Sequence, residues 1–354
     1  MNDKKYENID EKKFIKGLND NNINFPYFKW NVNQIKQLME DCEYEEAEKI
    51  LKVLFKKDPN NIQVLDYLGE LYLNIGNFKG AKKMLEKSIS INPDSNPDKY
   101  MDYAQVLDIP IKRVEAYQKA IQLYNNDLNQ ANNDNNKIKD IKESIASALS
   151  SIASLYMTTD LCDDPNAEQI CENSISQALK ICPESIEALL QFSNLRILRK
   201  RDNEAKEAMY KILEKIKQIN NNLNEQDIPE RDILINLSQN FAELKLFKDA
   251  CYIINLLLKK DDEDIECYYL LAVYEDNYRN FFSAMEALDK FNKVYIKMQK
   301  SGETISPVIK EYVTEAKNLY NKLSKIKKEQ LIDENPEDDD DKSNNEDEEM
   351  EEED

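Results

Sequence analysis

The chain has 354 residues, 41% hydrophobic and 33% charged, with only five Gly and ten Pro. That length suits one or two ordinary domains or a single solenoid, and so few turn formers favour long helices. A formal charge of −21 argues against direct nucleic-acid binding, which needs Lys and Arg to displace counterions, and the absence of any His removes the imidazole-based nucleophile pairs, acid-base groups and metal ligands.

Residues 1–25, rich in Asn, Asp and Lys, read as a flexible N-terminal segment in which Phe14, Ile15 and Leu18 can make one helical turn. The N-terminus shows no apolar h-region, and no run in the sequence approaches the length of a membrane span. A reduced intracellular compartment is therefore expected. The six Cys, at 42, 162, 171, 182, 251 and 267, form no C-x-x-C; most fall at apolar positions of a helical pattern and read as small core residues.

Periodic structure begins near Tyr27, Phe28 and Trp30. The clearest unit is Ile62–Pro93: Leu65, Leu68, Gly69 and Tyr72 share one face of a first helix, Ala81, Leu85 and Ser88 one face of a second, and Gly76-Asn77 makes the turn. This is the pattern of a tetratricopeptide repeat, two antiparallel helices in about 34 residues. One such pair cannot bury its apolar face alone, so neighbours are required. The small residues Ala47, Ala81, Ala116, Cys171, Ala205, Ala250 and Ala284 supply them, spaced 34, 35, 55, 34, 45 and 34 residues apart. Gly69, Ala104, Ala153, Ser193, Ser238 and Ala272 keep the same register in the first helices. Seven repeats follow, at about 28–59, 62–93, 97–124, 138–183, 186–217, 231–262 and 265–298; the first has Gln34 and Ile35 where a Leu-small pair is expected. The two long gaps are assigned to inter-helix loops, the Asn-rich stretch 125–136 with residues 159–165, and residues 220–227.

The expected fold is thus an all-α tetratricopeptide-repeat solenoid over residues 26–300. Ser306-Pro307 then caps a helix whose apolar spacing runs to about residue 332, read as a C-terminal capping helix over 305–332. Residues 333–354 hold fifteen acids and one Lys, a net −14, and read as a disordered acidic tail.

In a right-handed stack the first helices line the concave wall. The groove expected from their periodicity includes the acids Asp66, Glu70, Asp98, Asp102, Asp108, Glu187, Asp232, Glu243, Glu266 and Asp276, interleaved with Tyr67, Met101, Met157, Leu190 and Tyr269. Only Lys29 and Lys36 are read as opposing them. An acidic groove suits a ligand bearing Lys and Arg; an ordinary solvated face of an acidic protein is the bland alternative. A carboxylate-clamping chaperone adaptor is disfavoured, because Tyr67, Asp98 and Asp102 stand where cationic or amide donors would be needed. No Gly-rich loop, ligand cage or partner electrophile accompanies the acids, so no enzyme, cofactor or metal is expected.

Two stretches carry a resemblance. Residues 96–107, NPDKYMDYAQVL, and residues 155–179, LYMTTDLCDDPNAEQICENSISQAL, are similar to segments of the dedicated assembly chaperones of large-subunit ribosomal protein four. In the second, the matching residues are Tyr156, Met157, Asp160, Leu161, Cys162, Ala167, Glu168, Cys171, Glu172, Ala178 and Leu179; Thr158-Thr159, Asp164-Pro165 and the Asn-rich insertion depart from the family pattern. The resemblance implies a non-enzymatic, cytoplasmic and nuclear protein that captures the newly made basic ribosomal protein and escorts it to ribosome assembly, as a monomer in a one-to-one complex. No direct nucleic-acid or membrane partner is expected. A scaffold subunit of another complex, or a chaperone of a different basic client such as a histone, are the alternatives.

Overall fold

The computed structural model describes residues 34–131, 134–221, 228–302 and 305–334. The segment 1–25, Tyr27, Phe28, Lys29, Trp30 and the acidic tail beyond Glu334 lie outside the described residues. Every regular element among the described residues is helical. Those up to Leu195 form one compact unit and those from Arg196 a second.

In the first unit, α1 (residues 34–40) pairs with α2 (Tyr44–Lys57), α3 (Ile62–Asn74) with α4 (Phe78–Ile91), α5 (Asp98–Gln105) with α6 (Pro110–Gln130), and α7 (Asn135–Thr158) with α8 (Ala167–Ile181); the boundary between the units, at Leu195, falls within α9 (Ile186–Leu198). The second unit holds α10 (Asp202–Asn221), the pairs α11 (Arg231–Glu243) with α12 (Phe247–Lys260) and α13 (Ile265–Asn277) with α14 (Phe281–Ser301), and then α15 (Pro307–Glu334). Local chemistry sets the helix starts. The side chains of Asn61, Asn77, Asp134, Asp264 and Ser306 each accept a hydrogen bond from the backbone N–H three residues on, satisfying a donor that the first turn leaves orphaned.

All the small residues of both rulers are buried, including Ala47, Ala81, Ala104, Ala153, Ala250 and Ala272 at 0% exposure. Their role is close approach. A Cβ added at Gly69 would sit 2.6 Å from Leu85 of the partner helix, so only glycine lets α3 and α4 meet at that distance. In the first repeat Ile35 fills the corresponding core space and is wholly buried with Leu51 and Leu65.

The Asn-rich stretch is not the loop expected from its composition. α6 runs to Gln130 and α7 starts at Asn135, so the extra residues lengthen two helices. The reason is an apolar stripe that continues through the polar run: Tyr124, Ala131 and Ile141 are buried, with Leu128 and Ile138 packed against them. The remaining excess forms a 3-10 turn, Asp160–Asp163, where the Thr159 hydroxyl donates to Leu155 O and accepts from Leu161 N.

Cysteine burial is mixed. Cys171, Cys251 and Cys267 are core residues as expected, Cys182 is half-buried, and Cys42 and Cys162 are exposed. Burial pushes the Cys251 thiol up to about 12, which leaves it inert.

Candidate functional site

Carboxylates gather in the first unit on α3 and α5, the first helices of consecutive repeats. Asp66 and Glu70, one turn apart on α3, and Asp98 and Asp102, one turn apart on α5, interact electrostatically as one group. Burial raises the Asp102 carboxyl to about 8, helped by the charges of Glu70, Asp98 and Asp66. Glu70 is exposed by area, yet it too is held above the ordinary carboxylate range, by desolvation first and then by Asp98. A group that water reaches but neighbours crowd is what a recessed surface produces. Tyr67 is half-buried in the same place, its hydroxyl pushed up by burial and then by Glu70, Asp66 and Glu40.

The members differ in how far they are already engaged. Asp66 accepts hydrogen bonds from the Ser88 hydroxyl and from Asn96 Nδ2, so it closes the repeat internally. Asp98 accepts from the Tyr124 hydroxyl. Glu70 has Lys36 close enough to lower its proton affinity, which places that predicted counter-cation beside the group. Lys36 itself lies 3.8 Å from Glu40.

The first motif explains how α5 is positioned. Asn96 bonds Asp66 through Nδ2 and receives Asp98 N at Oδ1; Lys99, wholly buried, donates to Asn92 O and Ser95 Oγ; the Tyr100 hydroxyl donates to Pro93 O at 2.8 Å. Asn-Pro-Asp-Lys-Tyr therefore ties the loop between repeats to both helices and fixes where Asp98 and Asp102 point. The signal for a buried Lys was the surrounding carbonyls of a tight loop, which charge counting could not reveal.

Other predicted residues fall elsewhere. Asp108 lies beyond the end of α5, in the turn before α6, where its exposed carboxylate meets Lys82 of a second helix at 3.4 Å; helical periodicity does not apply there. Leu190 is buried at 3% and belongs to the core. Met101 and Met157 are half-buried and pack against one cluster that includes Ala104, Ile152 and Tyr156. Glu187 is half-buried at the start of α9.

In the second unit the acids meet cations that the sequence reading did not assign to them. Arg231 binds Asp264 at 2.7 Å and Glu266 at 2.6 Å, with Asp232 at 3.7 Å. Burial pushes the Asp264 carboxyl up, but hydrogen bonds from Arg231 and from the Cys267 backbone outweigh it and hold it below the ordinary range. Helix α15 engages the rest: the Tyr312 hydroxyl donates to Glu266 at 2.9 Å, Lys322 meets Asp276 at 2.7 Å, and Tyr269 donates to Glu315 while stacking on Tyr312 at 4.7 Å. The expectation that only Lys29 and Lys36 oppose the acids is therefore corrected, because Arg231 and Lys322 come from positions that periodicity alone did not place opposite them. Glu243 stays exposed at the end of α11.

A tetratricopeptide repeat model matches residues 38–101. A Schizosaccharomyces pombe protein named probable assembly chaperone of rpl4 is 27% identical over 244 residues, 68% of this chain and 71% of that protein. An Emericella nidulans protein of the same name is 22% identical over 65% of this chain and 58% of that protein. Among solved structures, residues 1–338 of an Assembly Chaperone of RpL4 align with TM-score 0.59 at 22% identity, over 73% of this chain and 98% of that one. A chain of the APC/C hetero-tetramer Cut9-Hcn1 aligns with TM-score 0.54 at 14% identity, over 82% of this chain and 48% of that one. Likeness at such identities establishes the fold. The chain has the tetratricopeptide-repeat solenoid fold and is similar in sequence to assembly chaperones of rpl4, as its two motifs led one to expect.

Proposed function

We propose that this chain is a dedicated, non-enzymatic assembly chaperone. It captures a newly made basic ribosomal protein of the large subunit, protein four by analogy with its relatives, shields it, and escorts it to ribosome assembly through cytoplasm and nucleus. A single chain holds a single client and contacts neither nucleic acid nor membrane. The observation that carries this reading is the carboxylate group of Asp66, Glu70, Asp98 and Asp102, crowded enough to raise two of its members. Crowded anions gain most from an arriving cation, since it relieves their mutual repulsion as well as forming its own pairs. The client's Lys and Arg, which otherwise grip ribosomal RNA, satisfy that need until RNA displaces the chaperone.

In the second unit Asp264, Glu266 and Asp276 are already paired, so capture centres on the first three repeats. Glu70→Lys with Asp98→Asn tests the reading, because both residues are exposed and the new amide oxygen still accepts the Tyr124 hydroxyl. Calorimetric titration with the purified basic client should show affinity falling by about a hundredfold. Unchanged affinity and an unchanged salt dependence, with helical content preserved, would refute it.

A further inference from the structure

In the second unit α15 runs beside α13 in the same direction and in fixed register. The Tyr312 hydroxyl donates to Glu266, Tyr269 donates to Glu315 and Lys322 pairs with Asp276, and each contact joins positions 46 residues apart. α13 stops at Asn277, where the chain turns into α14, whereas α15 continues to Glu334. The twelve residues after Lys322, at about 1.5 Å each, carry α15 roughly 18 Å beyond the level of Asp276. The acidic run 335–354 therefore follows on from a point past the α13–α14 turn, at the same end of the unit.

Cations gather at that end. The Cys251 thiol donates a hydrogen bond to Glu275, which brings the start of α12 beside the end of α13. Lys248 stands three residues before Cys251 and Tyr278 three after Glu275, so the α11–α12 and α13–α14 turns lie side by side. Lys245, Lys248 and Arg279 are exposed there, and none of them enters an ion pair among the described residues. The acids around them are mostly engaged, Asp276 with Lys322, Glu286 with Lys290 at 3.2 Å and Asp249 with the Tyr210 hydroxyl at 3.1 Å, which leaves Glu243. Phe282 is 81% exposed, more than any other large apolar side chain among the described residues, and Tyr278 is 52% exposed.

Unpaired cations beside exposed aromatic rings suit a ligand that is strongly anionic and carries little apolar bulk, since carboxylates bond the cations and a thioether sits well against a ring. Residues 335–354 have that chemistry: thirteen acids, one Lys, and Met350 as their single large apolar side chain. Residues 1–33, with six Lys against five acids, do not. Glu337–Asp341 lie three to seven residues past Glu334, an extended reach of about 10–25 Å that covers the return to the turns. We infer that the acidic run 335–354 docks back onto the α11–α12 and α13–α14 turns of its own second unit, carboxylates against Lys245, Lys248 and Arg279, and Met350 against Tyr278 and Phe282. Three cations leave most of the run's charge uncompensated, so docking restrains the run while its field still attracts a cationic client. The inference rests on the second unit alone and is independent of the acidic group of the first.

Zero-length carbodiimide cross-linking of the full-length chain, followed by peptide mass spectrometry, reads the contact directly. Lys245 and Lys248 should link to carboxylates of residues 337–354, with yields normalised to the link between Lys322 and Asp276, which are paired at 2.7 Å in the fold. Arg279→Glu, and separately Phe282→Ser, should each lower those yields at least about threefold, while Lys112→Glu, the same change of charge on an exposed helix position of the first unit, leaves them unchanged. Circular dichroism of both second-unit variants should match the parent, since both side chains are exposed. Absent links, links spread evenly over the exposed lysines, or parent yields in either variant would overturn the inference. So would an equal loss in Lys112→Glu, because the attraction would then be diffuse. Mixing isotope-labelled with unlabelled chains separates the sources: hybrid links in place of links within one chain would assign the seat to a second copy and overturn it as well.

Discussion

Five turns between consecutive helices close through a residue at positive φ: Cys42 at 60°, Gly76 at 74°, Lys200 at 57°, Lys245 at 60° and Arg279 at 62°. In each, the following N–H reaches back five residues, as Leu246 N does to Phe241 O at 2.7 Å, the double bond pattern that ends helices. Only one of the five is glycine, so four side chains sit in a conformation that costs L-residues roughly 1–2 kcal/mol. The Lys245 side chain is exposed. Lys245→Gly should therefore stabilise the second unit by about 0.5–1 kcal/mol after glycine's own entropy cost, read as a higher urea midpoint, whereas Gly76→Ala should lower it by a similar amount. At the same scale, Asp102 titrates near 8 in the folded chain because burial and three carboxylates oppose its charge. Its folded value lies above its unfolded one, so the folded state holds the extra proton and the associated stability falls as pH rises from about 4 to about 8. Asp102→Asn should flatten that slope and raise the melting temperature at pH 9 relative to the parent, an effect on the order of 1 kcal/mol. An identical slope in parent and variant would locate the proton elsewhere.

Helices were legible wherever a small residue marked close approach, because no other side chain fits where two backbones meet. Gly69 is the sharpest instance. Its missing Cβ would stand 2.6 Å from a wholly buried Leu85, which has no free space into which to retreat. Overpacking there costs about 1–3 kcal/mol and the better helix propensity of alanine returns about 1. Gly69→Ala should thus destabilise the first unit by about 1 kcal/mol in chemical denaturation, and a companion Leu85→Val should recover part of the loss. Composition misled at residues 125–136, where asparagine dominates but Tyr124, Leu128, Ala131 and Ile138 keep a helical stripe going; the period of the few apolar residues outweighed the identity of the many polar ones. It misled again at Asp108, where a face was extrapolated past the end of its helix. What no pattern could give was partnership across elements. The pairing of Arg231 with Asp264 and Glu266, and of Lys322 with Asp276, joins residues 33 to 46 positions apart, and charge counting along a helix does not see them.

Charge across the molecule is divided in a way that bears on encounter as much as on grip. Residues 335–354 carry a net −12 of the chain's −21, while the second unit pairs much of its acid internally and the first leaves Glu70 and Asp102 crowded by like charge. Exposed charges act over a Debye length of about 8 Å at physiological ionic strength, so a run of carboxylates at 335–354 can attract a cationic client without shaping the bound state. Grip and steering should then separate kinetically. Deleting residues 335–354 is expected to lower the association rate constant for the basic client by about three- to tenfold at low salt, to leave the dissociation rate unchanged, and to lose its effect near 0.5 M salt, roughly the regime where surface fields are screened. Glu70→Lys should do the opposite, raising the dissociation rate at every salt concentration because it removes a contact made only in the complex. Stopped-flow mixing with the labelled client distinguishes the two. If truncation speeds dissociation as strongly as Glu70→Lys does, the tail takes part in holding the client, and the division between steering by the terminus and capture by the repeats fails.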